Sequence, residues 1–373
     1  MRNQVSNGLP TLIRNVILTA LLLHASVRIE RLIHRMQLRG AVDRFLLDRA
    51  HRHLFHAACG RVAGNSVTHF STRKGTSVMP RHKPRVLLEG LHFPESPRWR
   101  GDKLYFSDFY AHEVVAVDLS GRRESIVEVP QQPGGLGFMP DGSLLVVSMM
   151  DSRLLRWADG TLTQVADLSE FAYSCNDMVV DARGRAYIGE MLPLDVDDPS
   201  TMGRPSNLVL VEPESSRPNG GARVVADKLK MPNGAVVTPD GSTLVVAESF
   251  DNKLTSFHIE ADGSLTGRAV FAELDGIVSD GICLDAEGCV WVAVIIPDEK
   301  AGFQRVTPGG AIVDRIDMES GAGAAVALGG PDGHTLFLAE SLSTDWASRS
   351  HMQKGNGRIR VVEVDVPAAS QAI

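Results

Sequence analysis

The sequence predicts an all-β fold, a six-bladed β-propeller with four-stranded blades around a central channel. Two observations carry that prediction. A turn around a glycine, followed by a short apolar run, occurs six times, and the copies recur at the length of one propeller blade. A third observation, one recurring polar position before the turns, points to what the channel holds.

The turns are Arg100-Gly101-Asp102, Pro140-Asp141-Gly142, Ala182-Arg183-Gly184, Pro239-Asp240-Gly241, Ala286-Glu287-Gly288 and Pro331-Asp332-Gly333. Each leads into an apolar run, as in Leu144-Leu145-Val146-Val147 and Val290-Trp291-Val292-Ala293. Successive turn glycines lie 41, 42, 57, 47 and 45 residues apart. The spacing of 57 places an insertion around 193–205, read as a long rim loop or lid with Asp195, Asp197, Asp198, Pro199 and Gly203. Apolar stretches at 86–88 and 361–364 supply an early and a late strand, and pairing them would close the ring without an exposed edge.

Eight residues before Gly184, Gly241 and Gly288 stand Asn176, Asn233 and Asp280; the same offset in two other repeats gives Gly134 and Ala325. The first turn is two residues shorter, so its equivalent is Glu95, six residues before Gly101. Removing two residues preserves side-chain facing, because strands alternate with period two. If this strand lines the channel, four oxygen-bearing side chains converge on the axis. Singly, Asn233-Gly234 and Asp280-Gly281 read as turn formers and Glu95 as a surface residue. Together, two carboxylates and two amides suit a hard divalent cation, Ca2+ before Zn2+, Mn2+ or Mg2+, since zinc prefers His and Cys.

These residues sit in motifs that resemble the senescence marker protein / gluconolactonase (regucalcin-like) family. Glu95-Ser96-Pro97-Arg98-Trp99 is similar to its opening motif, and Asn176-Asp177-Met178-Val179-Val180-Asp181 to its second. Pro232-Asn233-Gly234 and Ser279-Asp280-Gly281-Ile282-Cys283-Leu284-Asp285 are similar to the third and fourth, and the likeness spans about 85–366. The resemblance implies a six-bladed propeller with one catalytic divalent metal, usually calcium, held by Glu95, Asn176, Asn233 and Asp280. It also implies a lactone hydrolase, with organophosphate hydrolases as more distant relatives. Asp280, the one aspartate of the set, is assigned as the base that takes a proton from water.

Two departures bear on the substrate. Where aldonolactone hydrolases of this family can place an arginine, two residues before the second-motif asparagine, this chain has Ser174. Where they have an acidic contact, it has Leu194. A sugar lactone is therefore only weakly favoured over other lactones. Glu190, His112, Met191 and Tyr110 are placed at the channel mouth, with ordinary packing as an equal reading. Gly134-Gly135-Leu136-Gly137 is read as allowing close approach at the axis rather than holding phosphate. No nucleophile elbow, phosphate loop or His-Glu-x-x-His helix is present.

Composition is that of a globular chain, 43% hydrophobic and 22% charged. The net charge of −7 divides into +10 over residues 1–82 and −17 over the rest. An acidic propeller attracts cations and disfavours nucleic acid. The basic leader, 1–82, contains no repeat motif. It is read as upstream sequence before a start at Met79, against a signal peptide or an amphipathic membrane-surface helix. The propeller is assigned to 83–367 and a tail to 368–373. The four cysteines show no metal spacing and read as buried thiols in the cytoplasm, with export or membrane association as the alternative if the leader is genuine. The expected function is divalent-metal-dependent opening of a lactone to a hydroxy acid. The alternatives are a phosphotriesterase-like hydrolase on the same site, a non-catalytic calcium-binding propeller and a protein-binding propeller.

Overall fold

A computed structural model describes residues 82–369 apart from 195–197, 275, 297–299, 319 and 344–349. The leader up to residue 81, the Met79 start, Asp195 and Asp197 lie outside the described residues. Residues 78–373 form one compact unit.

Six four-stranded antiparallel sheets make up the fold, and the described residues contain no α-helix. Their innermost strands are, in chain order, Pro94–Arg100, Pro133–Phe138, Cys175–Val180, Pro232–Val237, Val278–Leu284 and Ala322–Gly329. Each packs against the innermost strands of the blades on either side. The glycine turns follow, and all six turn glycines have φ between 61° and 92°, a region that a Cβ disfavours. Aspartates before them fasten the hairpins: Asp181 accepts the amides of Arg183 and Arg185, and Asp285 those of Glu287 and Cys289. The apolar runs then form second strands buried on both faces, as in Leu144–Ser148 and Ala186–Glu190. Blades stack through these runs; Trp99 of blade one stacks on Phe337 of blade six at 5.2 Å between ring centroids.

The ring closes between the two ends of the domain. Arg85–Leu91 pairs antiparallel with Gly357–Glu363 as the outermost strand of blade six. His82, assigned to the leader, hydrogen-bonds Asp314 of blade five at 2.9 Å. Ala368 and Ala369, assigned to the tail, bond to Gly333 and Leu284 and so fasten blade six to blade five.

Candidate active site

Strand register decides what reaches the axis. Trp99, Phe138, Val180, Val237, Leu284 and Leu328 each pair with the first residue of the following apolar run. Four residues before each stand Glu95, Gly134, Asn176, Asn233, Asp280 and Ala324. The register therefore corrects one position: blade six presents Ala324, because its turn is one residue longer than an offset from the glycine assumes. Ala325, like Ala324, has no donor atom. In all six blades the ladder is interrupted at or just after this position, for example between Cys175 and Met178, between Pro232 and Ala235 and between Glu95 and Arg98. Such irregularities re-aim side chains. The glycines here permit close approach: a Cβ on Gly135 would lie 2.4 Å from the Met178 nitrogen.

Glu95, Asn176, Asn233 and Asp280 are each 5–6% exposed. The Asn233 side-chain amide donates to Asp280 Oδ1, linking blades four and five, and reaches Ser249 Oγ at 3.3 Å. Glu95 accepts the amide of its neighbour Ser96 at 3.1 Å. Burial, then the charges of Asp280 and Asp177, hold the Glu95 carboxyl well above its ordinary range. Burial also lifts Asp280 to about 8, opposed by the Asn233 hydrogen bond and reinforced by Asp177. The Asn176 Nδ2 and the Ser279 hydroxyl are buried without a hydrogen-bond partner. Two buried carboxylates, one of which raises the other and both of which feel Asp177, fit a divalent cation, whose positive charge would offset their burial and repulsion, with the amide oxygens of Asn176 and Asn233 as further donors. No cluster of three or more His, Cys, Asp or Glu able to hold a metal occurs among the described residues. The axial set differs in drawing half of its donors from amides.

A second layer, missed by the sequence reading, lies beneath. Asp177 accepts the Ser96 hydroxyl at 2.7 Å, the Arg98 guanidinium at 3.1 Å and the Met178 amide at 2.8 Å. A third arrangement was visible in the runs themselves, whose fifth residues include Asp108, Glu190, Glu248 and Glu340. These are buried carboxylates. Asp108 accepts the amides of His92 and Phe93, which lead into the strand that carries Glu95.

Both Glu190 oxygens accept backbone amides, from Tyr173 at 2.9 Å and Asn207 at 2.8 Å. The Ser174 hydroxyl donates to the Met149 carbonyl. His112 is exposed in a left-handed turn with Nδ1 on the Pro130 carbonyl. Tyr110 packs edge-on against Phe93 and His351. Met191 bonds through its amide to the Ser174 carbonyl, and Leu194 is exposed. Cys175, Cys283 and Cys289 are unpaired, and burial raises the Cys175 thiol to about 12. At the far end of the channel, away from the four donors, Arg98, Trp99, Val180, Val237, Leu284 and Leu328 line a cavity of about 580 Å³.

The SMP-30/gluconolactonase/LRE-like region matches residues 93–341, from the strand of Glu95 to the end of the second strand of blade six. The chain belongs to this family. Among its relatives are a 6-deoxy-6-sulfogluconolactonase of Pseudomonas putida, 25% identical over 75% of this chain and 94% of that protein. A pentonolactonase of Haloferax volcanii is 26% identical over 68% of this chain and 83% of its own. The crystal structure of a calcium-binding protein, regucalcin, from Agrobacterium tumefaciens superposes with a TM-score of 0.60. It is 22% identical and is covered over 98% of its length, against 78% of this chain. At that identity the likeness speaks for the propeller fold.

Proposed function

We propose that this member of the SMP-30/gluconolactonase/LRE-like family hydrolyses a lactone, with Glu95, Asn176, Asn233 and Asp280 holding a divalent cation, Ca2+ first. The observation that carries the reading is the burial of two carboxylates and two amides at one repeat-equivalent position, where packing alone selects Gly134 and Ala324. Two relatives named as lactonases, at 25% and 26% identity, support the reaction class.

A cation in this set would polarise the lactone carbonyl and stabilise negative charge on its oxygen. Asp280 takes a proton from the attacking water as its oxygen bonds to the carbonyl carbon. The ring C–O bond then breaks, and the same proton passes to the departing alkoxide, giving a hydroxy acid. A carboxyl raised by burial is a stronger base once ionised, and a positive charge in the same cluster brings its pKa down towards neutrality. Glu95 supplies the second negative charge, and Asn176 and Asn233 supply neutral oxygens without further repulsion.

Free thiols, those of Cys175 and Cys289 buried, suit a reducing, cytoplasmic setting. Among the described residues, no helix is long and apolar enough to cross a membrane. The test is hydrolysis of five- and six-membered lactones with and without a chelator. Turnover lost on chelation and restored by calcium, zinc, manganese or magnesium supports the proposal. Cation binding with no turnover of any lactone overturns it in favour of a calcium-binding role, and turnover of a phosphotriester alone favours the phosphotriesterase alternative.

A further inference from the structure

We propose that the substrate carries an apolar substituent, an alkyl or aryl group on the lactone ring, rather than a ring of hydroxyls. The inference rests on the lactonase reading and concerns the part of the substrate that lies outside the axial donors.

Propeller connectivity sorts the loops by face. Each innermost strand starts beside the end of its second strand, as Pro94 pairs with Asp108, Cys175 with Glu190 and Val278 with Ile296. The connections after the second strands therefore lie at the same end of the channel as the four donors. The glycine turns lie at the other end.

The large apolar side chains left exposed divide unevenly between these places. Val86, Val224, Val270, Ile312 and Val313 lie on outermost strands, at blade edges. Met150, Tyr173, Leu194, Met202, Ile296 and Leu342 all lie at the donor end, with exposures from 36% for Leu342 to 67% for Tyr173. None among the described residues lies in the glycine turns. Scattered exposed apolar residues need no explanation, but the bias of these six to the one end that also carries the donors does. Tyr173 is three residues before Asn176, and Ile296 pairs with Val278, two residues before Asp280. Phe93, two residues before Glu95, extends the apolar character in ring contact with Phe109 and Tyr110 at 5.9 Å each.

Three of the polar side chains at the donor end are already occupied. The Ser174 hydroxyl is spent on Met149, both Glu190 oxygens on backbone amides, and the Asn207 side-chain amide on the Phe171 carbonyl. A polyhydroxylated ring would lose water without gaining these partners, a costly exchange. An alkyl chain seated against Tyr173 or Leu194 of blade three, or Ile296 of blade five, would be stabilised by the area it buries. A ligand that touches both this rim and the donors must reach into the channel, so the occupant is a small molecule with a reactive ring and an apolar body.

The experiment compares γ-butyrolactone, its 4-alkyl homologues up to γ-dodecalactone, and glucono-δ-lactone. In parallel, calorimetry compares binding of 2-hexylcyclopentanone, which cannot be hydrolysed, with cyclopentanone. Expected is a kcat/KM that rises roughly two- to fourfold per methylene reaching the rim, chiefly through KM, and tighter binding of the hexyl ketone. Tyr173→Ala and Leu194→Asp, checked for folding by circular dichroism, should flatten the chain-length dependence and weaken the hexyl ketone. A preference for glucono-δ-lactone, a flat chain-length series or equal binding of the two ketones overturns the proposal. If no lactone opens while the hexyl ketone still binds preferentially and Leu194→Asp abolishes that preference, the apolar site stands and the hydrolase reading falls.

Discussion

The Ser96 hydroxyl donates to the Asp177 carboxylate at 2.7 Å, joining blade one to blade three. Blade two lies between them and offers only Gly134 and Gly135 at that level, so the bond crosses where no side chain intervenes. Ser96 has φ of 49°, a left-handed conformation that a Cβ makes costly. One residue thus carries a stabilising bond and a strained backbone.

That combination separates two substitutions. Ser96→Ala keeps the strain and loses the bond, and should cost about 1–2 kcal/mol, since Asp177 keeps its other donors. Ser96→Gly loses the same bond but relieves about 1–2 kcal/mol of left-handed strain, so it should lie close to the parent protein. Urea unfolding midpoints measure both. Equal losses would show that the strain contributes nothing.

Glu95 and Asp280 make the chelated protein sensitive to pH. Both carboxyls hold their protons to higher pH folded than unfolded, so their stabilising share is fully present below the unfolded value near 4. It is lost as pH rises through the folded value, about 8 for Asp280. Melting temperature in EDTA should therefore fall as pH rises over this range, and the fall should be shallower in Asp280→Asn. Calcium should raise the melting temperature of the parent protein at neutral pH and leave Glu95→Gln unmoved, because only a bound ion stabilises by mass action. Equal calcium shifts in both would remove Glu95 from the site.

Close approach at the axis gives a third expectation. A Cβ at Gly135 would meet the Met178 nitrogen at 2.4 Å and the Asp177 carbonyl carbon at 2.8 Å, both backbone atoms. At Gly134 the nearest atom, at 2.7 Å, belongs to the flexible Met149 side chain. Gly135→Ala should cost about 1–3 kcal/mol or more, and Gly134→Ala less. Thermal melts of the two variants test the order, and the reverse order would contradict the packing described.

What the sequence made legible follows from period and offset. The glycine turns and apolar runs predicted six blades, and the offset from each glycine found Glu95, Asn176, Asn233 and Asp280. It misplaced only Ala325 for Ala324, because an offset cannot sense a longer turn. The Ser96–Asp177 bond was hidden because it depends on interrupted ladders and on a blade with no side chains in between. Glu190 was found for its chemistry, yet its oxygens serve backbone amides, a use that composition does not reveal. The apolar mouth was hidden too, because its residues come from separate loops that only the topology gathers at one end.

Ring closure gives the last prediction. Arg85–Leu91 is the only strand of blade six that comes from the N-terminal end of the propeller, and it covers the edge of Gly357–Glu363. Leu87 and Leu91 are buried against a core that includes Phe337, Ile359 and Val361. The Gly355 amide is also held by the Leu91 carbonyl at 2.8 Å. A chain begun at Met79 retains all of this; one begun at His92 loses it. The loss removes two buried leucines, worth about 1.5–3 kcal/mol each, and bares a strand edge that invites pairing with other chains. The shorter chain should melt well below the chain from Met79 and elute as aggregate in size-exclusion chromatography. A monomeric, equally stable chain from His92 would mean that blade six holds without its outer strand, and that the ring is closed by inner-strand packing alone.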